Sequence, residues 1–193
     1  MKSKDQIEKI QAVVLYILTR LPEGVDYIHL FKTMYFAQQE HLAVYGRPVM
    51  DDTFVARKHG PVPTLTYKVV HCADGRHEPM TSDLDDFVAS LSVTTKDGHQ
   101  IVTAKEGVMP DMDELSASDI KVLDKWIARC KDVNAFDLAD MSHDKAWLKA
   151  KRQAERTGED TKIPLVDIAQ AVGASEAMLQ VIRNRQLNSK VLQ

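Results

Sequence analysis

The stretch from residue 26 to residue 45 limits the architecture most. Its apolar side chains fall on two helical faces, with Leu30, Met34 and Ala37 on one and Ile28, Phe31 and Tyr35 on the other. A helix that is apolar on most sides must be enclosed by others. Asp26 stands where an N-cap is needed, and Gly46 and Pro48 end the helix. A second helix precedes it. Ile7, Ile10, Val14, Ile17 and Leu21 recur at spacings of three and four, Ser3 with Gln6 has the form of a capping box, and Pro22 and Gly24 follow.

Downstream, residues 46–63 hold Gly46, Pro48, Gly60, Pro61 and Pro63, a density of punctuators that predicts a loop fixed in an irregular path. Short helices are predicted over 64–70 and near 84–91, with a surface loop over 73–82 between them. One strand signal is clear. Leu91, Val93 and Thr95 alternate before Asp97-Gly98, a dipeptide suited to a type I′ turn, which pairs Thr94 with Ile101 and Val93 with Val102. Ser116, with Asp119 at the third position, caps a helix whose buried face is Ile120, Leu123, Ile127 and Cys130. Asn134 caps residues 135–141, and Ser142 is the predicted cap of a helix passing through Trp147 to about residue 153. Pro164 opens a helix that ends at Gly173, and Ser175 caps the last one. The sum predicts a mainly α (α+β) fold: a compact, otherwise all-helical bundle of seven to eight helices with one small β-hairpin near 91–104. Residues 1–193 read as a single domain ending in a helical hairpin at 164–190.

Composition narrows the function classes. Apolar residues make up 44% and charged residues 27% of 193, an ordinary globular balance. A formal charge of −3 excludes a strongly basic nucleic-acid coat protein. The charge is unevenly spread: residues 61–143 carry eight Lys/Arg against fifteen Asp/Glu, whereas residues 144–193 carry nine against six. Two cysteines, Cys72 and Cys130, make no disulfide framework and suit a reducing compartment. The longest apolar run, residues 12–18, is far short of the roughly 20 residues that span a bilayer. The expectation is a cytoplasmic protein with no membrane partner.

Catalytic signatures are absent: there is no phosphate loop, no Gly-x-Ser-x-Gly elbow and no His-Glu-x-x-His pair. His71, Cys72, Asp74, His77 and Glu78 crowd eight residues, but no second donor pair stands elsewhere, so a solvated loop is the reading. His143 and Asp144 beside Trp147 form a possible acid–base pair, read instead as a local hydrogen bond and aromatic packing. Residues 168–182 have helix-turn-helix spacing, with Ala169 four before Gly173 and with Arg183, Arg185 and Lys190 beyond. Its second helix starts with Glu176 and Ala177, a poor start against DNA.

Three blocks carry a family resemblance. They are residues 32–38, containing Tyr35, Phe36 and Gln38; residues 46–54, containing Gly46, Pro48, Asp51, Asp52 and Phe54; and Gly60-Pro61-Val62-Pro63. With residues 138–147, which include His143 and Trp147, they resemble the Panacea domain of SocA-like antitoxins and GepA-like phage-associated proteins, over roughly residues 5–170. Arg57 and His59 stand where the family often has aromatic residues, Ala146 replaces a Pro before Trp147, and one residue is missing between Pro61 and Pro63. The resemblance implies a binding module and no enzyme, with no cofactor and no metal. It implies an antitoxin that neutralises a cognate protein toxin by direct complex formation, with a protease as further partner where the antitoxin acts as an adaptor. The polar loop at Arg57, Lys58 and His59 and the acidic stretch at Asp111, Asp113 and Glu114 are the expected partner-facing residues. The alternative is a DNA-binding regulator using residues 164–190.

Overall fold

The Ser3 hydroxyl accepts the Gln6 backbone N–H while the Gln6 side chain returns to the Ser3 N–H, so α1 (Lys4–Arg20) begins where the capping box predicts. The computed structural model describes residues 2–77 and 82–191, and side chains up to residue 188. Part of the predicted 73–82 loop therefore lies outside the described residues, as do Glu78 and the Lys190 side chain.

The central helix is α2 (Tyr27–Tyr45), capped by Asp26 and closed by Gly46 in the left-handed conformation. Twelve of its residues are buried, five of them polar: Lys32, Thr33, Gln38, Gln39 and His41. Around it pack α1, α5 (Ala117–Cys130), α6 (Ala135–Met141), α8 (Leu165–Ala171) and α9 (Glu176–Val191). Smaller elements complete the chain: α3 (Thr64–Ala73), α4 (Asp85–Ala89) and α7 (Lys145–Thr157). The described residues thus hold nine α-helices rather than seven or eight, because both short predicted helices form.

The hairpin of β4 (Leu91–Lys96) and β5 (His99–Ala104) has the predicted register, Thr94 opposite Ile101 and Val93 opposite Val102. Asp97 and Gly98 both take positive φ, as a type I′ turn requires. A two-residue strand, β1 (Val25–Asp26), adds to β5.

The predicted irregular loop is a second hairpin, which corrects the all-helical description further. β2 (Phe54–Arg57) pairs antiparallel with β3 (Gly60–Pro63), Phe54 opposite Pro63 and Ala56 opposite Pro61. The prolines are tolerated because Phe54 and Ala56 aim their own bonds outward: Ile163 N–H donates to the Phe54 carbonyl at 2.8 Å, and Ala56 N–H donates to the Thr161 carbonyl at 3.0 Å. The residues opposite them therefore need no ladder N–H.

One cap also differs. Ser142 closes α6, its hydroxyl donating to the Ala139 carbonyl, and Asp144 caps α7. No helix is long and apolar enough to cross a membrane among the described residues.

Candidate functional site

The β2–β3 hairpin is held in a polar seat built mostly by one face of α2. Gln38 is buried; its Oε1 accepts from Val49 N–H at 3.0 Å and its Nε2 donates to the Met50 carbonyl at 3.2 Å. This fixes the chain as it enters the hairpin. At the far side, Pro63 precedes α3 with no capping side chain of its own. Asp52 reaches across instead, accepting from Leu65 N–H and Thr66 N–H, both at 2.9 Å. Phe54 packs edge-on against Tyr35, centroids 5.2 Å apart.

Asp144 is the central acceptor. It takes the Tyr35 hydroxyl at 2.8 Å, the Gln39 amide at 2.5 Å and the Trp147 backbone N–H at 2.8 Å. One carboxylate thereby caps α7 and ties it to α2. The Trp147 indole N–H donates to the Arg57 carbonyl at 3.0 Å, and the His143 ring stacks on it at 3.9 Å. His143 and Asp144 thus have packing and capping roles here. Burial pulls the His143 imidazole below its ordinary value, only partly offset by the Asp140 carboxylate, which raises it.

Lys32 lies beneath the hairpin, 1% exposed, its Nζ donating to the Pro61 carbonyl at 2.8 Å. Burial lowers its pKa to about 7. Gly60 passes over it at φ +97°, so close that a Cβ there would stand 2.2 Å from the Ser142 hydroxyl and 2.8 Å from Lys32 Nζ. Only glycine fits.

The tip projects from this seat. Lys58 and His59 are exposed, whereas Arg57 is half-buried, over the Tyr67 ring at 4.2 Å and paired with Asp160 at 2.8 Å. Beside the tip is a cleft of about 630 Å³, walled by Phe31, Tyr67 and His71 and bounded by Lys151 and Glu155 of α7. His71 is held by the Tyr67 carbonyl at 2.8 Å and stacked on that ring. Asp74 is engaged by Tyr27 and Arg76. Among the described residues no three His, Cys, Asp or Glu converge to hold a metal.

The acidic stretch is elsewhere. Asp111 accepts from Asp113 N–H at 3.0 Å to start a single 3-10 turn, and Lys9 of α1 donates to the Glu114 carbonyl. None of the three lines the cleft, so the structure does not join the two expected partner-facing groups. Of the other motif residues, Gly46 closes α2, Phe36 stacks on Trp126 at 4.9 Å, Pro48 is half-buried and Asp51 is exposed.

Sequence reading missed Lys32, Gln39 and Asp144 as parts of the seat. Lys32 and Gln39 had a signal: they fall on the helical arc of Ile28 and Tyr35, where a solvated residue has no place.

A helical scaffold whose side chains clamp a short β-hairpin and expose its tip defines a mainly α fold with a small amount of sheet. The chain belongs to the SocA-like antitoxin family, the Panacea-domain family, whose model matches residues 30–148. No curated protein and no solved structure matches it.

Proposed function

We propose that this chain is an antitoxin that neutralises a cognate protein toxin by binding it directly, with the Arg57–Lys58–His59 tip and its cleft as the contact surface. The observation that carries this reading is the orientation of the family-motif side chains. Tyr35, Gln38, Asp52, Phe54, His143 and Trp147 turn inward to lock the hairpin, while Lys58 and His59 remain outside on a fixed backbone. A surface ordered before encounter loses little conformational freedom on association. The acidic turn at Asp111, Asp113 and Glu114 is a separate surface available to the same partner or to a protease that receives the complex. The DNA reading is less favoured: α9 opens with Glu176, and that carboxylate pairs with Arg183 at 2.6 Å.

The test is growth of cells expressing the product of the adjoining reading frame, with and without this chain. Toxicity alone and rescue together are expected, and Lys58→Glu with His59→Glu should weaken rescue while the protein stays folded. A harmless neighbour, or toxicity that persists in the presence of this chain, refutes the reading.

A further inference from the structure

The outward face of α7 has a composition that its own fold does not use. Lys145, Lys149, Arg152 and Arg156 follow one another at helical spacings of four, three and four, all exposed. The helix carries five cations, counting Lys151, and a single carboxylate, Glu155, in a chain whose formal charge is −3. Neighbouring like charges at these spacings weaken a helix, and a cation in the first turn opposes the helix dipole, which is where Lys145 stands. Intramolecular compensation is thin. Lys149 pairs with Asp167 yet keeps its side chain 72% exposed, Lys151 pairs with Glu155, and Arg156 meets the Gln153 amide. Lys145 and Arg152 make no hydrogen bond or ion pair among the described residues. The backbone beneath is nevertheless fixed, by Asp144 at one end and by Trp147 against the hairpin.

Leu148 lies in the middle of this row, 40% exposed and ringed by Lys145, Lys149 and Arg152. An apolar side chain within a cationic ring is desolvated by a protein surface and gains nothing from a phosphate backbone. The ridge is one straight helix face about four side chains long in a chain of formal charge −3, a small footprint for a phosphate backbone.

We propose that the α7 ridge docks an acidic protein segment carrying an apolar residue that covers Leu148. The proposal rests on the antitoxin reading and gives the toxin's contact surface its chemistry: carboxylates spaced along a strip about 16 Å long, the rise from Lys145 to Arg156 at about 1.5 Å per residue.

The direct test uses a synthetic 12-residue peptide of Glu and Leu and, separately, a 20-base-pair DNA duplex, each titrated into the full-length protein. Peptide binding should weaken as salt rises from low to physiological, fall at least tenfold in the Lys145→Glu/Arg152→Glu variant, and protect α7 amides from hydrogen exchange. Both side chains are exposed and unpaired, and the change removes like-charge neighbours, so thermal unfolding of the variant should come no lower than that of the wild type. Absent peptide binding, equal binding by the variant, tighter binding of the duplex, or salt-sensitive self-association that the variant abolishes would each overturn the assignment, the last by giving the ridge to a second copy. In the growth assay, wild-type rescue with undiminished rescue by the variant would overturn the ridge alone, whereas failure of wild-type rescue would strike the antitoxin reading itself.

Discussion

Replacing Lys32 with Met removes a buried ammonium while keeping an unbranched side chain of similar length. In the wild type the group's pKa falls from 10.5 in the unfolded chain to about 7 beneath the hairpin. Between those values the unfolded chain binds more protons than the folded one, so stability rises with pH. The rise is complete above about 10.5, is lost as pH falls to about 7, and is flat below. A displacement of that size corresponds to at most about 5 kcal/mol over the window, at about 1.4 kcal/mol per pH unit. The Met variant has no such window. It also leaves the Pro61 carbonyl without its donor, a constant cost of about 1–3 kcal/mol. Near pH 7 the cost of the buried ammonium outweighs the lost hydrogen bond and the Met variant should be the more stable by about 1–3 kcal/mol, whereas near pH 10 the order reverses and the wild type should lead by up to about 2 kcal/mol. Urea unfolding followed by Trp126 and Trp147 fluorescence at pH 7, 8, 9 and 10 measures the difference directly, and other titrating groups cancel because both proteins carry them. A difference that stays level across those four values would refute the reasoning.

Gly60→Ala should destabilise by roughly 2–4 kcal/mol, because it combines a left-handed φ with a Cβ driven into Ser142 and Lys32, and denaturant titration measures this. Tyr35→Phe should cost about 1.5–3 kcal/mol by removing one donor from the Asp144 carboxylate, with slower amide exchange lost first at the start of α7. Asp119 is fully buried and paired with Lys9 at 2.7 Å and His41 at 2.9 Å, so Asp119→Asn should cost about 3–5 kcal/mol in thermal or urea unfolding. Burial pushes the Asp119 carboxyl upward, but hydrogen bonds from His41 and Lys9 outweigh it and hold the group well below its ordinary range. Its contribution is present above about pH 4 and is lost as acid protonates it, so the variant should show a flatter acid limb.

Much of the architecture is readable from local chemistry. Ser3, Asp26, Ser116 and Asn134 cap where their hydroxyl, carboxylate or amide oxygens meet free backbone N–H groups. The Asp97-Gly98 turn sets the β4–β5 register by itself. What escaped depends on contacts distant in sequence. Pro61 and Pro63 argue against a strand until the segment at 161–163, a hundred residues on, takes up the outward bonds of β2. Ser142 and Asp144 are both competent caps two residues apart, and the choice falls to Asp144 because Tyr35 and Gln39 already point donors at it. The seat was partly visible as a motif and not as a mechanism, since spacing cannot reveal that Lys32 and Trp147 hold the same hairpin through carbonyls at Pro61 and Arg57.

The clamped hairpin has a consequence for how a partner can approach. Strand addition needs a free sheet margin with donors and acceptors to spare. On one margin residues 161–163 already occupy those groups; on the other, Pro61 and Pro63 have no N–H to give and Lys32 has taken the Pro61 oxygen. A partner docking on this hairpin, as proposed, therefore has side chains to engage and no backbone margin to anneal to. If the tip is the contact surface, as proposed, a change of partner requires only new residues at Arg57, Lys58 and His59, with the buried frame beneath left as it is.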